Sequence, residues 1–260
     1  MQTDQEWVPG AATVVISRRD LDAAIFDLDG VLTDTARVHA AAWKAVFDDF
    51  LRRRAERQGR DFQPFDIGGD YLAYVDGRPR HDGIRTFLAS RSIELPEGSE
   101  QEPEGADTVR GLGRRKTRLF RQALRQGIVP APGAQRLLAK LRRSGMGVAV
   151  GSSSKNCAAI LRAAELDHLI DVRADGVDAE QLGLPGKPDP ALFLEAARRL
   201  GVAPGRAVLF EDASAGVEAG RRGGFGRVVG IGRGRRPEQL LRHGAHVVIA
   251  TLDQVEVVDG

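Results

Sequence analysis

The sequence predicts an α/β fold, a Rossmann-like parallel sheet core with a helical domain inserted behind its first strand. Three observations predict it. Short apolar runs at Ala23–Phe26, Gly147–Gly151, Ala207–Phe210 and Arg227–Ile231 have the length of buried strands. From residue 133 onward such runs alternate with segments of helical periodicity, the order of a parallel sheet covered on both faces. Between the first run and that region, residues 36–116 show helical spacing and no buried-strand signal. The expected domains are therefore 1–35 with 117–260 for the sheet core, and 36–116 for the insert.

Taken in order, the first 20 residues give a weak start with a short strand at Ala12–Ile16. The run Ala23–Phe26 then leads into FDLDGVLTDT, where Gly30 ends the strand. Asp34 or Thr35 suits a helix N-cap. Trp43, Val46, Phe47, Phe50 and Leu51 repeat at helical spacing behind it, a packing face that runs through Leu51. Tyr71–Val75, a turn at Asp76-Gly77-Arg78-Pro79 and a helix over Gly83–Arg91 follow, and the acidic, Gly- and Pro-rich stretch Pro96–Asp107 reads as a mobile loop. The regular part consists of helix Gly133–Arg143, strand Gly147–Gly151, helix Asn156–Glu165 and strand Leu169–Val172. It continues with helix Pro190–Leu200, strand Ala207–Phe210, helix Ala215–Arg222, strand Arg227–Ile231, helix Pro237–Arg242 and strand Ala245–Ile249.

Composition limits the function. A chain of 260 residues with 42% apolar content has enough for a real core. The formal charge of +2 covers arginine-rich runs at Arg52–Arg54, Arg114–Lys116 and Arg233–Arg236. These have acids nearby and no interleaved aromatics, so they read as solvated faces and nucleic acid is not an expected partner. The single cysteine, Cys157, excludes an internal disulfide, and no Cys/His spacing suits zinc. The N-terminal residues show no basic leader with an apolar stretch, and no window approaches the roughly 18 apolar residues of a membrane span. A cytoplasmic monomer without a membrane partner is expected.

Ligands of parallel sheets sit past the C-terminal strand ends, so the polar residues there are the ones to weigh. The first strand brings Asp27 and Asp29 to its tip, and residues two apart face the same way. The strand at Gly147–Gly151 runs into Ser152, Ser153, Ser154, Lys155 and Asn156, hydroxyls and amides at a helix start that suit an oxyanion. Lys187 stands in GKPDP, where prolines stiffen the loop before a helix. The strand at Ala207–Phe210 runs into Glu211 and Asp212. Were these tips to converge, four acids would repel one another unless a hard cation such as Mg2+ joined them. Lys187 and the serine turn would then complement a phosphoryl group. That combination predicts phosphoryl transfer, with one aspartate as nucleophile and its neighbour, its pKa raised by crowding, as acid and base. Asp27 is assigned the first role and Asp29 the second; spacing alone leaves the reverse open.

The four motifs in this order resemble the haloacid dehalogenase superfamily: DxDGxxxDT at Asp27–Thr35, the serine at Ser152, the lysine at Lys187 and the acidic pair at Glu211-Asp212. The resemblance implies that Asp27 is phosphorylated, that Asp29 is the acid/base and lends its backbone carbonyl to magnesium, and that Glu211 and Asp212 complete the metal site. It also makes the helical insert a cap. Within the superfamily the words FDLDGVLTDTARVHAAAW, YVDGRPRHDGIR, GRRKT, SSSKN, GKPDP and EDASAG are similar to those of the β-phosphoglucomutases. That likeness implies substrate-binding roles for His39, Trp43, Gly77, Arg80 and Lys116 in the cap, with His39 and Lys116 positioning the acid/base and Arg80 holding the phosphate that is not transferred. It adds Ser154, Lys155 and Asn156 in the core. The expected reaction is β-D-glucose 1-phosphate to glucose 6-phosphate through the 1,6-bisphosphate; the alternative is a magnesium-dependent sugar phosphate phosphatase. Gly83, Thr117 and Ala213 depart from the pattern, where serine, asparagine and serine are expected, and leave the identity of the sugar open.

Overall fold

A computed structural model of the chain describes residues 13–75, 78, 80–99, 101–103, 106–232 and 237–258. Most of the expected turn at 76–79, including Gly77, and the run Arg233–Arg236 lie outside the described residues. Two compact units compose the chain: Met1–Asp34 with Gly127–Gly260, and Thr35–Gln126. The first unit opens with β1 (Val14–Ser17) and β2 (Ala23–Phe26). The second holds α1 (Thr35–Gln58), a π-helical turn at Ile67–Tyr71, the short α2 (Leu72–Tyr74), α3 (Arg80–Ser90) and α4 (Val109–Leu124). The chain then returns to the first unit with α5 (Ala134–Arg143), β3 (Gly147–Gly151), α6 (Cys157–Ala163), β4 (Val172–Ala174), α7 (Gly176–Leu182) and α8 (Ala191–Leu200). It ends through β5 (Ala207–Glu211), α9 (Ser214–Arg222), β6 (Arg227–Ile231), α10 (Pro237–His243), β7 (Val247–Ile249) and β8 (Val255–Val258).

The main sheet has the order β4-β3-β2-β5-β6-β7, and every neighbouring pair is parallel. Strand β2 is buried along its whole length, as a continuous apolar run in a doubly covered sheet must be. One face packs Ile25, Ala149 and Leu209 against Phe193, Val217 and Leu240 of α8, α9 and α10. On the other face the register partners Phe26 and Phe210 stack with ring centroids 4.7 Å apart. Such a pair adds about 1 kcal/mol beyond its burial. The chain leaves β2 toward β3 and later comes back to β5 on the opposite side, so the strand order reverses at β2. That reversal opens the crevice where sheets of this kind bind ligands.

Several boundaries differ from the expectation. The strand expected at Leu169–Val172 is a 3-10 turn, Asp167–Leu169, followed by β4, which pairs Val172 with Ala149 and Ala174 with Gly151. The small buried Ala174 belongs to the core, and Asp171 accepts from Val148 N at 2.9 Å to hold the strand start. Strand β1 begins at Val14 and pairs parallel with β8 in a separate two-stranded sheet. Helix α5 packs on both β3 and β8.

In the helical unit α1 extends to Gln58 and contributes Trp43, Val46 and Phe47 to a core with Phe65, Phe87 and Leu112. The Phe47 and Phe87 rings lie 4.3 Å apart, and Phe65 meets Phe87 edge-on at 4.8 Å. Position 117 falls inside α4, which belongs wholly to this unit. The stretch read as a mobile loop is tied down where it is described. Val109 N donates to Pro96 O at 3.0 Å, and Arg85 grips both oxygens of Glu97 at 2.7 and 2.8 Å. Arg57 reaches Asp107 at 2.6 Å. Two of its acids, Glu97 and Asp107, thus pair with arginines of α3 and α1, and Arg53 also reaches Asp107 at 3.2 Å. Arg53 and Arg115 likewise meet Asp49.

Candidate active site

The end of β2 meets the end of β5 in register, so Asp27 follows Phe26 directly beside Glu211. Asp27 N donates to Phe210 O at 2.9 Å. The Lys187 ammonium stands between the two acids, 2.6 Å from Asp27 Oδ1 and 2.6 Å from Glu211 Oε2. The other Glu211 oxygen accepts from the amides of Asp212 and Ala213 at 3.0 and 2.9 Å. Those bonds turn the chain toward α9 and need only the backbone of Ala213. Asp27, Glu211 and Asp212 each offer an oxygen within 4.8 Å of the others. Gly30, at φ +88, has no room for a side chain because an added Cβ would collide with the Asp212 carboxylate. The Asp29 carboxylate lies outside the three-acid set.

Burial is the largest influence on Asp27 and raises its carboxyl well above the usual carboxylate range. Lys187 opposes that rise, while Glu211, Asp29 and Asp212 add to it. Burial acts to lower Lys187, but Asp27 and Glu211 more than offset it and hold the ammonium charged. Three hard oxygen donors, buried and mutually repelling, fit a divalent cation of the magnesium or calcium kind.

The serine turn after β3 is internally bonded. Ser152 is buried and its hydroxyl accepts from Ser154 N at 3.2 Å, while Ser154 Oγ accepts from Asn156 N at 3.2 Å. Ser153 is exposed. Lys155 is held at 2.6 Å by Glu180 of α7, an acid the sequence reading did not single out. The signal for α7 was present in the pair Asp175 and Asp178, which form a capping box.

The remaining predicted residues belong to the helical unit. Lys116, buried in α4, lies 2.6 Å from His39 Nδ1 and sits 4.6 Å over the Phe120 ring and 5.5 Å over Trp43. Trp43 itself stacks on Phe47 at 5.2 Å. Arg80 is exposed at the start of α3. Gly83 faces Val75, whose Cα would lie 3.4 Å from an added Cβ, and the Thr117 hydroxyl donates to Gly113 O at 3.0 Å. Thr117 is thus engaged by its own helix where asparagine was expected to reach a ligand.

An ammonium only donates, so His39 Nδ1 accepts and the neutral ring carries its proton on Nε2. Burial, then Lys116 and Arg80, push His39 from its ordinary 6.5 to about 3. Between those values the unfolded chain binds a proton that the folded one refuses. Stability therefore falls as pH drops through that window, by up to about 1.4 kcal/mol per unit. Ring-nitrogen NMR should find His39 neutral at pH 5, and Lys116→Met should raise its pKa by about one unit or more. A His39 that titrates near 6.5 in both proteins would contradict the contact.

Comparison with known proteins agrees with the strand-end geometry. A family model for haloacid dehalogenase-like hydrolases matches residues 21–224. A β-phosphoglucomutase of Mycobacterium bovis is 50% identical over 237 residues, 90% of each chain. The fructose-1-phosphate phosphatase YqaB of Escherichia coli is 31% identical over 78% of this chain and 93% of its own. Among solved structures, a β-phosphoglucomutase of Clostridium difficile superposes with a TM-score of 0.68 at 26% identity, covering 91% of this chain and 93% of that one. With its motif acids and lysine gathered at one sheet edge and the family match spanning most of its length, the chain belongs to the haloacid dehalogenase-like hydrolases.

Proposed function

We propose that the protein is a sugar phosphate mutase that converts β-D-glucose 1-phosphate to D-glucose 6-phosphate through the 1,6-bisphosphate. The observation that carries the chemistry is Lys187 held between Asp27 and Glu211. Asp27 is the group placed to accept a phosphoryl, and Lys187 neutralises the approaching anion that the acids would repel. Asp29 is the proposed acid/base for the sugar oxygen. Ser152 and Ser153 supply the hydroxyl side of the proposed phosphate site. Magnesium is the proposed metal, held by Asp27, Glu211 and Asp212 with the backbone carbonyl of Asp29. Bound there, it would keep the Asp27 carboxylate ionised and polarise the phosphoryl oxygens.

A mutase differs from a phosphatase in needing to hold a second phosphate. Each unit carries groups suited to one: Arg80 in the helical unit, and Ser154, Lys155 and Asn156 in the sheet unit, while His39 and Lys116 are proposed to position the acid/base. The half-identical relative named β-phosphoglucomutase supports the mutase reading, and the phosphatase YqaB supports hydrolysis as the second. Phosphorus NMR of the protein with β-glucose 1-phosphate, magnesium and a trace of glucose 1,6-bisphosphate separates them. Glucose 6-phosphate is the expected product, whereas accumulation of inorganic phosphate alone would establish the phosphatase.

A further inference from the structure

We propose that Phe193 is a positioning residue for Lys187, its ring face fixing the ammonium between Asp27 and Glu211. This deepens the phosphoryl-transfer reading and rests on it. Pro188 and Pro190 stiffen the half-buried loop that carries Lys187, but the ammonium sits at the end of a flexible four-carbon stem, so its contacts must define where the charge sits. Two contacts with the acids hold the ammonium, and the third is the Phe193 ring, whose centroid lies 4.7 Å from Nζ. That distance is within the reach of a cation–π attraction, which strengthens when the pair is shielded from water. The Lys187 side chain is 15% exposed and Phe193 is fully buried.

The surrounding residues keep the ring in that place. Phe193 stands in the first turn of α8, six residues after the lysine, and Asp189 starts that helix by accepting from Ala191 N at 2.9 Å. Gly151 ends β3 without a side chain, and a Cβ there would lie 2.5 Å from Phe193 Cδ1. Phe225 meets the ring edge-on at 6.4 Å. Glycine, helix start and aromatic neighbour thus agree on one ring orientation. The arrangement has a chemical use. Were Asp27 to accept a phosphoryl and Glu211 to share its charge with a bound cation, both anionic partners of Lys187 would attract it less. The ring would not change, so it would keep the ammonium aimed at the incoming oxygen.

Phenylalanines carrying one, two and three fluorines, placed at position 193 of the full chain, test this, because fluorine drains the ring face while nearly preserving its shape. Two quantities are read with magnesium present: kcat/KM for β-glucose 1-phosphate, and the affinity for inorganic phosphate by calorimetry. The expected result is a stepwise decline in both, reaching about tenfold for the trifluoro ring at unchanged thermal stability. A flat series in both quantities, or a decline that follows loss of thermal stability, overturns the proposal. Should the protein convert no β-glucose 1-phosphate while phosphate affinity still declines along the series, the mutase reading fails and the role of Phe193 stands.

Discussion

Asp27→Asn is expected to lower turnover of β-glucose 1-phosphate by about 10^4-fold or more, because an amide cannot form the acyl phosphate that carries the group. The side chain is nearly isosteric and its surroundings are closed. Asp27 is 5% exposed and sits in register beside Glu211, so the variant keeps its shape while losing the nucleophilic oxygen. The direct measurement is labelling with radioactive bisphosphate followed by hydroxylamine. The unaltered enzyme should give a label that hydroxylamine releases, and the variant none. Turnover at the original rate in Asp27→Asn would sink the covalent mechanism.

Lys187→Met is expected to lower turnover by about 10^3-fold, the scale seen when an electrostatic stabiliser of a charged transition state is removed. It should also change stability in a pH-dependent way. Without the ammonium, Asp27 and Glu211 face each other uncompensated inside the protein. Burial already raises the Asp27 carboxyl, and losing Lys187 raises it further. An acid whose folded pKa lies above its unfolded value loses stability as pH rises between the two. The penalty in the metal-free variant should therefore grow from pH 5 to pH 8, reaching about 3 kcal/mol. Urea denaturation in the presence of a chelator at both pH values measures it. An equal penalty at the two values would mean that the acids do not depend on this lysine.

Much of the sheet and the catalytic edge was legible because each relied on local signals. The runs at Ala23–Phe26 and Gly147–Gly151 match β2 and β3, and the acids and lysine beside them lie at one sheet edge. What escaped depended on partners distant in sequence. Helix α4 turns a buried lysine, Lys116, into its inner face, which breaks the apolar pattern that marks a helix. The loop before it looked disordered because its acids meet arginines from other segments, such as Arg57 with Asp107. Glu180 and Phe193 were missed for the same reason: one matters through Lys155 and the other through Lys187. Strand β8 is four residues long and pairs with β1, which lies at the far end of the described sequence.

That last pairing has a consequence for how the molecule comes off the ribosome. Val14 and Val255 are register partners although about 240 residues separate them, so the clasp closes only after every strand of the main sheet has been made. Until then β1 has no partner strand among the described residues, and the nascent chain must carry it without one through the making of the sheet in between.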